Sequence, residues 1–191
     1  MAVFPSHPAG ALRAVSLFID RLERFNKTRQ DKGEPLVKVR FGVNYGQVTL
    51  GTVGYEDHMR CTVMSSEVNI ASRLESMNKQ FGSTVLLSDT FVQAFGSSTK
   101  NHQIRYLGKW QVRGKSEPIP LYEYYGHYSA ELKEVIEKTR EEFEEAVHMA
   151  EQGDWISSKA KFEDLQKRYP QDHATLFLSS LSSLQTKRLA A

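Results

Sequence analysis

The chain has 191 residues, 40% of them apolar and 10% aromatic, which is enough for a packed core and argues against disorder. Its 25 basic and 23 acidic side chains leave a formal net charge of +2, which argues against non-specific nucleic-acid binding. A single cysteine, Cys61, excludes an internal disulfide and a cysteine-cluster zinc site and favours a cytoplasmic setting. Because no apolar run reaches the roughly 18–20 residues of a membrane helix, we expect no membrane contact from this segment.

Hydrophobic periodicity predicts a helix followed by strands in the first part of the chain. Apolar residues recur at helical spacing over residues 9–31. Residues 36–54 then alternate between apolar and polar side chains, as in a half-buried strand. The glycines in that stretch indicate bulges or the close approach of another backbone. Residues 58–64 are predicted to form the next strand.

A second helix is predicted over residues 67–81, with Ser65 or Ser66 as its cap and Gly82 at its end. The elements predicted after it are a short strand, a short helix and a final strand pair. They cover residues 84–87, 90–95, 103–113 and 119–125.

The composition changes after Gly126, where three helices are predicted in a stretch rich in Glu and Lys. We therefore place a domain boundary near this point. Residues 1–127 are predicted to form an α+β domain, and residues 128–191 a small helical extension. No long segment is repeated, which excludes an extended solenoid.

Residues 42–74 (GVNYGQVTLGTVGYEDHMRCTVMSSEVNIASRL) carry the most informative pattern. This stretch resembles the second half of a class III nucleotidyl cyclase domain, the fold of adenylate and guanylate cyclases. The segment VRGKSEPIPLYEYYG resembles the final hairpin of that family, so the resemblance covers residues 1–127. The matching positions are Gly42, Asn44, Gly46, Val48, Gly51, Gly54, Thr62, Val63, Val68, Asn69, Ala71 and Arg73.

The resemblance implies a fold in the α+β class. It would be a partial ferredoxin-like cyclase domain, an incomplete sheet with flanking helices, followed by the helical extension. Apolar and turn residues of the extension fall near the spacing of a single tetratricopeptide repeat. A single repeat rarely stands alone, so we favour an extension that docks on the sheet or on a second chain over a free-standing peptide-binding groove.

The resemblance also implies roles for individual residues. Asn69 would orient the ribose and Arg73 would bind the α-phosphate, and their spacing of four places both on one side of a helix. Thr62 would face the purine, with the backbone of Val63 along the base, and Lys115 would reach the terminal phosphates. From the residues alone, the alternatives are a solvated polar stripe on the helix, an ordinary strand threonine and a solvated loop lysine.

Two departures from the family pattern carry consequences. Ser65-Ser66 stands where Gly followed by Asp or Asn is usual, and serine resists the φ angles that glycine allows, so we expect an altered loop. The complete family domain uses Mg²⁺ or Mn²⁺ held by two aspartates, and positions equivalent to them would lie before Met1. We therefore expect this chain alone to bind no catalytic metal and to make little or no cyclic nucleotide.

Two functions are predicted, and a third is weaker. The first is the C-terminal part of a class III adenylate cyclase, with ATP (or GTP) as substrate and cyclic AMP and pyrophosphate as products. The alternative is a non-catalytic cyclase-homology module that dimerises or regulates a partner through its helical tail. The third is a peptide-binding adaptor centred on that tail. Because the family works as head-to-tail dimers and this sheet is incomplete, we expect a homodimer or a segment-exchanged oligomer.

Overall fold

The computed structural model describes residues 1–5, 7–55, 60–96 and 102–189. Within these ranges the chain forms helices and strands in mixed order. They are α1 (Pro8–Asp31), β1 (Phe41–Val43), β2 (Thr49–Val53), β3 (Arg60–Met64), α2 (Ser66–Phe81), β4 (Val85–Ser88), α3 (Asp89–Phe95), β5 (Ile104–Trp110), β6 (Ile119–Tyr124), α4 (Ala130–Glu151), α5 (Trp155–Arg168) and α6 (His173–Leu189).

Four of these strands form one mixed sheet in the order β1-β4-β6-β5. Strands β1 and β4 are parallel, and β6 runs antiparallel to both of its neighbours. Strands β2 and β3 form a separate antiparallel pair, from Thr49 opposite Met64 to Val53 opposite Arg60. The predicted α+β class, with a partial sheet and flanking helices, is confirmed.

The strand predicted from residue 36 is shorter than expected. Asn26 of α1 donates from Nδ2 to the carbonyl of Val37 at 2.8 Å and accepts from its N–H at 2.9 Å. These two bonds hold Val37 against α1 and take its backbone out of strand pairing. Phe41–Val43 pairs in the four-stranded sheet, and Thr49–Val53, from the same predicted stretch, belongs to the separate pair. The final strand pair is also shorter, since β5 ends at Trp110 rather than at residue 113.

The glycines of this region serve close approach rather than bulges. A Cβ on Gly42 would lie 2.0 Å from the carbonyl oxygen of Ala71 and 2.4 Å from the nitrogen of Glu75, so β1 lies directly on the α2 backbone. Strands β2 and β3 pair residue by residue. The bulge lies instead in β5, between Tyr106 and Gly108.

Ser65, one of the two serines predicted as the cap, begins α2. Ser65 is the N-cap in extended geometry (φ −172°), which any residue adopts, and its Oγ accepts from the N–H of Glu67 at 3.1 Å. The same hydroxyl donates to the carbonyl of Gln47 at 2.8 Å. Serine therefore suits this position, and neither Ser65 nor Ser66 has a positive φ. The helix ends at Gly82 in the left-handed region (φ +67°), as predicted.

Two apolar cores lie on the two sides of the sheet. One joins α1, β1, β4 and α3. The other joins α2 and the sheet to all three C-terminal helices, through Phe81, Leu107, Phe143, Phe162 and Leu178. The structure thus shows the C-terminal helices docked on the sheet.

In the described part of the chain, no helix combines the length and apolar character needed to cross a bilayer.

Candidate functional site

The helix α2 presents Asn69 and Arg73 on its outer side. Ile70 and Leu74 of the same helix point into the core, with 3% and 0% exposure. Asn69 is exposed and Arg73 is partly buried one turn further along. The apolar stripe that anchors α2 therefore leaves these two polar side chains facing away from the core.

Arg73 lies against the loop that joins β5 to β6, here called the 111–118 loop. A Cβ on Gly114 would stand 2.6 Å from Nη1 of Arg73, so the guanidinium rests on this backbone. Gly114 has a φ of +88°, a conformation that glycine adopts at little cost. Lys115 follows directly, and the structure thus brings the helix that carries Arg73 to the loop that carries Lys115.

A second contact joins α2 to this loop at Lys115. Its Nζ lies 3.5 Å from Oε1 of Glu67, in the first turn of α2. Both side chains are partly exposed, so the pair borders solvent. It lies at a cleft of about 70 Å³ where β1 and β4 end, lined by Asn44, Glu67, Ile70, Ser88, Asp89, Thr90, Lys115, Ile119 and Pro120.

A chain of hydrogen bonds runs along the floor of this cleft. Asn44 donates from Nδ2 to Oε2 of Glu67 at 2.7 Å and to the Glu67 carbonyl at 3.1 Å. Thr90 donates to Oδ1 of Asn44 at 3.1 Å, and its hydroxyl lies 3.0 Å from that of Ser88. The amide of Asn44 therefore ties α2 to the start of α3.

Thr62 and Val63 lie on the separate pair of strands. They are opposite Gly51 and Leu50, and both are partly buried. None of the hydrogen bonds found in the described ranges joins Thr62 or Val63 to Arg73 or Lys115. Of the predicted site, the structure thus brings Arg73 to the loop that carries Lys115. Asn69 and Arg73 are not among the residues that line the cleft. Thr62 and Val63, the two predicted base-contacting residues, lie on another element.

Glu67 and Thr90 are members of the cleft that the sequence does not predict, and Asn44 is predicted only as part of a motif. Asn44 lies among the motif glycines and Glu67 directly precedes Val68-Asn69, so both stood inside the informative stretch. Nothing in the spacing pairs Glu67 with Lys115, because the contact crosses 48 positions and depends on where the 111–118 loop folds back.

The carboxylates of the cleft do not fit a site for two divalent cations. Glu67 is engaged by Asn44 and Lys115. Asp89 accepts from Gln93 at 2.6 Å and from Tyr122 at 3.4 Å. Within the described ranges, no three His, Cys, Asp or Glu side chains are grouped so as to hold a metal ion.

Comparison with known proteins gives relatives of one kind. The chain is 36% identical to adenylate cyclase 1 of Rhizobium meliloti over 120 residues, which is 63% of this chain and 18% of that protein. It is 35% identical to the adenylate cyclase of Anabaena cylindrica over 118 residues, 59% of this chain and 23% of that protein. The matched region thus spans about a fifth of the length of these relatives.

The fold is also found among solved structures. The structure of the guanylyl cyclase Cya2 matches with a TM-score of 0.51 and 24% identity, over 66% of this chain and 63% of that one. At this identity the match supports the fold alone. The family model for the adenylate and guanylate cyclase catalytic domain matches residues 1–125. Since that match covers well over half of the chain, the protein belongs to the adenylate and guanylate cyclase catalytic domain family.

Proposed function

We propose that this chain supplies the ribose- and phosphate-binding side of a class III cyclase active site, with ATP as its nucleotide. The observation that carries the proposal is the contact of Arg73 with Gly114, which places a helix-borne guanidinium beside the loop of Lys115. Asn69 lies one turn before Arg73 on the same outer side of α2. The helix that carries the amide and the guanidinium thus meets the loop that carries the second cation.

This arrangement suits the cyclisation of a nucleoside triphosphate. The ribose 3′-oxygen attacks the α-phosphorus, the bond to the β-phosphate oxygen breaks, and pyrophosphate leaves as the 3′-OH gives up its proton. Arg73 would hold the charge that builds on the α-phosphoryl oxygens, because a fixed guanidinium matches their geometry. Lys115 would bind the terminal phosphates as a mobile point charge, and Asn69 would orient the ribose.

ATP is proposed over GTP because both relatives described above carry the name adenylate cyclase. Thr62 and the backbone of Val63 are proposed to lie along the purine, as the family resemblance implies. GTP remains the alternative substrate, and the guanylyl cyclase among the solved structures supports only a shared fold.

We propose that Mg²⁺ or Mn²⁺ is held by carboxylates from another segment or chain, since those of the cleft are engaged by protein groups. The 191-residue chain would then make little cyclic nucleotide by itself. The metal ligands would come from a different polypeptide in a complex, whereas a homodimer or segment-exchanged oligomer of this chain would cover its incomplete sheet. The single cysteine supports a cytoplasmic location for this assembly.

The test is complementation. The chain is mixed with a homologous adenylate cyclase domain that keeps its metal-binding aspartates but lacks its own equivalents of Asn69 and Arg73, and cyclic AMP is measured with Mg²⁺ or Mn²⁺. We expect activity only in the mixture. Arg73→Ala should lower it about 10²–10³-fold, whereas Lys79→Ala, an exposed cation on the same helix, should leave it unchanged. Absence of activity in the mixture and of ATP binding to the chain would contradict the proposal.

A non-catalytic dimerisation or regulatory module is the second candidate. It is favoured by the apolar side chains that the β2–β3 pair exposes, among them Leu50 at 62% and Met64 at 52%. This candidate expects oligomerisation without nucleotide binding, so ATP titration separates the two.

In the tail, α4 turns at Gly153 into α5, which supports a single tetratricopeptide-like pair as a proposed protein contact. Its core residues are buried against the sheet, which disfavours a peptide-binding groove.

A further inference from the structure

Glu67 is held at the cleft by contacts on both of its carboxylate oxygens. Oε2 accepts from Asn44 at 2.7 Å, and Oε1 accepts from the Ser66 hydroxyl at 3.3 Å and faces Lys115 at 3.5 Å. A Cβ on Gly46 would lie 2.7 Å from Cγ of Glu67, so this glycine makes room for the side chain. The carboxylate is therefore built into the site rather than free in solvent.

Lys115 is fixed at its backbone and adjustable at its tip. Its N–H donates to the carbonyl of Val112 at 3.0 Å, and its carbonyl accepts from Nε2 of Gln111 at 2.7 Å. Its side chain is 36% exposed, so the ammonium can leave Glu67 without a change of the loop. The lysine assigned above to the terminal phosphates thus already has an anionic partner.

We propose that Glu67 competes with the nucleotide phosphates for Lys115 and thereby sets the affinity of the site for polyphosphate. This inference rests on the proposed function, since it assumes that Lys115 meets phosphate. Binding then exchanges one anionic partner of the lysine for another, and the displaced carboxylate, still held by Asn44, lies near the incoming negative charge. Glu67 is a positioning residue, and the exchange needs no covalent step.

The size of the effect follows from the exposure of the pair. Partly exposed ion pairs contribute little, which corresponds to about a two- to fivefold change in affinity. The effect should depend on the phosphates and not on the base, because Glu67 contacts the lysine assigned to the terminal phosphates. Glu67→Gln should therefore strengthen the binding of pyrophosphate and ATP and leave the binding of adenosine unchanged. Glutamine keeps an oxygen for Asn44 and a similar shape.

The experiment titrates the full chain with inorganic pyrophosphate, ATP and adenosine by calorimetry at fixed low salt. We expect Glu67→Gln to raise the affinity for pyrophosphate about two- to fivefold. In a Lys115→Ala background the same substitution should lose most of that gain, since the competition needs the lysine. Glu117→Gln, which removes a carboxylate from an exposed position of the 111–118 loop, is the charge-matched control and should change affinity less. Unchanged or weaker pyrophosphate binding by Glu67→Gln would overturn the inference.

A measurement on the unmodified chain keeps the test valid if Glu67→Gln fails to fold. The ¹³C resonance of the Glu67 carboxylate should shift when pyrophosphate is added, and it should not shift in Lys115→Ala. The two proposals fail differently. A wild-type chain that binds neither ATP nor pyrophosphate overturns both. Binding that depends on Arg73 and Lys115 but is indifferent to Glu67 overturns only the competition.

Discussion

Arg105 on β5 and Asp172 at the start of α6 form a bidentate ion pair inside the protein. Nη1 lies 2.6 Å from Oδ2 and Nη2 lies 2.7 Å from Oδ1, while Nε donates to Glu123 at 2.7 Å. The guanidinium also lies 4.5 Å from the ring centroid of Phe143. Burial alone would raise the pKa of Asp172, but the charge and hydrogen bonds of Arg105 lower it below its ordinary value.

This pair fastens the start of α6 to β5, next to the end of α2. A Cβ on Gly82 would lie 2.5 Å from Cβ of His173, the residue after Asp172. The rings of Phe81 and Phe177 meet edge to face with centroids 5.1 Å apart. The helix that carries Asn69 and Arg73 therefore ends against α6, and the extension shares its stability with the catalytic-domain fold.

Asp172→Ala is expected to lower the free energy of unfolding by about 3–5 kcal/mol, because it leaves part of a buried guanidinium without its partner. Urea unfolding followed by circular dichroism measures the loss. Asp164→Ala is the control, since Asp164 pairs with Arg168 at the surface and should cost less than about 1 kcal/mol. Equal effects of the two substitutions would show that the buried pair does not hold the helices in place.

Gly42→Ala is expected to disrupt the contact between β1 and α2. The added Cβ would meet the carbonyl of Ala71 at 2.0 Å, and backbone atoms cannot rotate away as a side chain can. The cost should reach or exceed the about 1–3 kcal/mol typical of overpacking. Gly10→Ala, in the first turns of α1 with its nearest neighbour at 3.6 Å, should be neutral or stabilising. Thermal unfolding of both variants tests this, and a Gly42→Ala chain as stable as wild type would contradict the close approach.

The sequence predicted those parts of the fold whose signals are local. The ends of α2 follow from a serine cap and a glycine stop, and both lie at the predicted residues. The strand predicted from residue 36 starts too early, because apolar and polar residues already alternate there. The two hydrogen bonds between Asn26 and Val37 are a tertiary contact, which this alternation does not reveal.

The candidate site was predictable only as a set of residues and not as an arrangement. Asn69 and Arg73 share a helix, so their common side follows from spacing. The other two contacts depend on how the 111–118 loop returns to α2. They are the contact of Gly114 with Arg73 and that of Lys115 with Glu67. Arg105 and Asp172 are likewise separated by 67 positions, and no periodicity connects them.

His127 is expected to make stability depend on pH. It lies between β6 and α4, and among the described residues neither ring nitrogen has a hydrogen-bond partner. Burial, followed by the charge of Lys133, lowers the pKa of His127 to about 4. Between about pH 6.5 and pH 4 the unfolded chain, with a histidine pKa near 6.5, binds a proton that the folded chain does not bind. The contribution of His127 to stability is therefore full above about pH 6.5 and falls towards pH 4.

The loss from His127 should be at most about 3 kcal/mol over that window. Urea unfolding between pH 7 and pH 4 measures it. His127→Gln should flatten the curve, whereas His148→Gln, at an exposed position of α4, should keep the slope. Parallel curves for wild type and His127→Gln would show that folding does not lower the pKa of His127.

The two asparagines of α2 should separate function from stability. Asn78 is fully buried, donates to the carbonyl of Phe41 at 2.9 Å and accepts from Ser83 at 2.7 Å, so Asn78→Ala leaves buried polar groups unpaired. We expect it to cost about 2–4 kcal/mol in urea unfolding. Asn69 is exposed, and Asn69→Ala should change stability by less than about 0.5 kcal/mol.

In the complementation assay the order should reverse, measured at a temperature where both variants are folded. Asn69→Ala should lower cyclic AMP formation about tenfold or more, since a lost ribose contact misplaces the 3′-oxygen. Asn78→Ala should keep most of its activity per folded molecule, because its side chain faces β1 and not the cleft. Loss of activity in both variants in proportion to stability would assign Asn69 a structural role, and full activity of Asn69→Ala would remove it from the site.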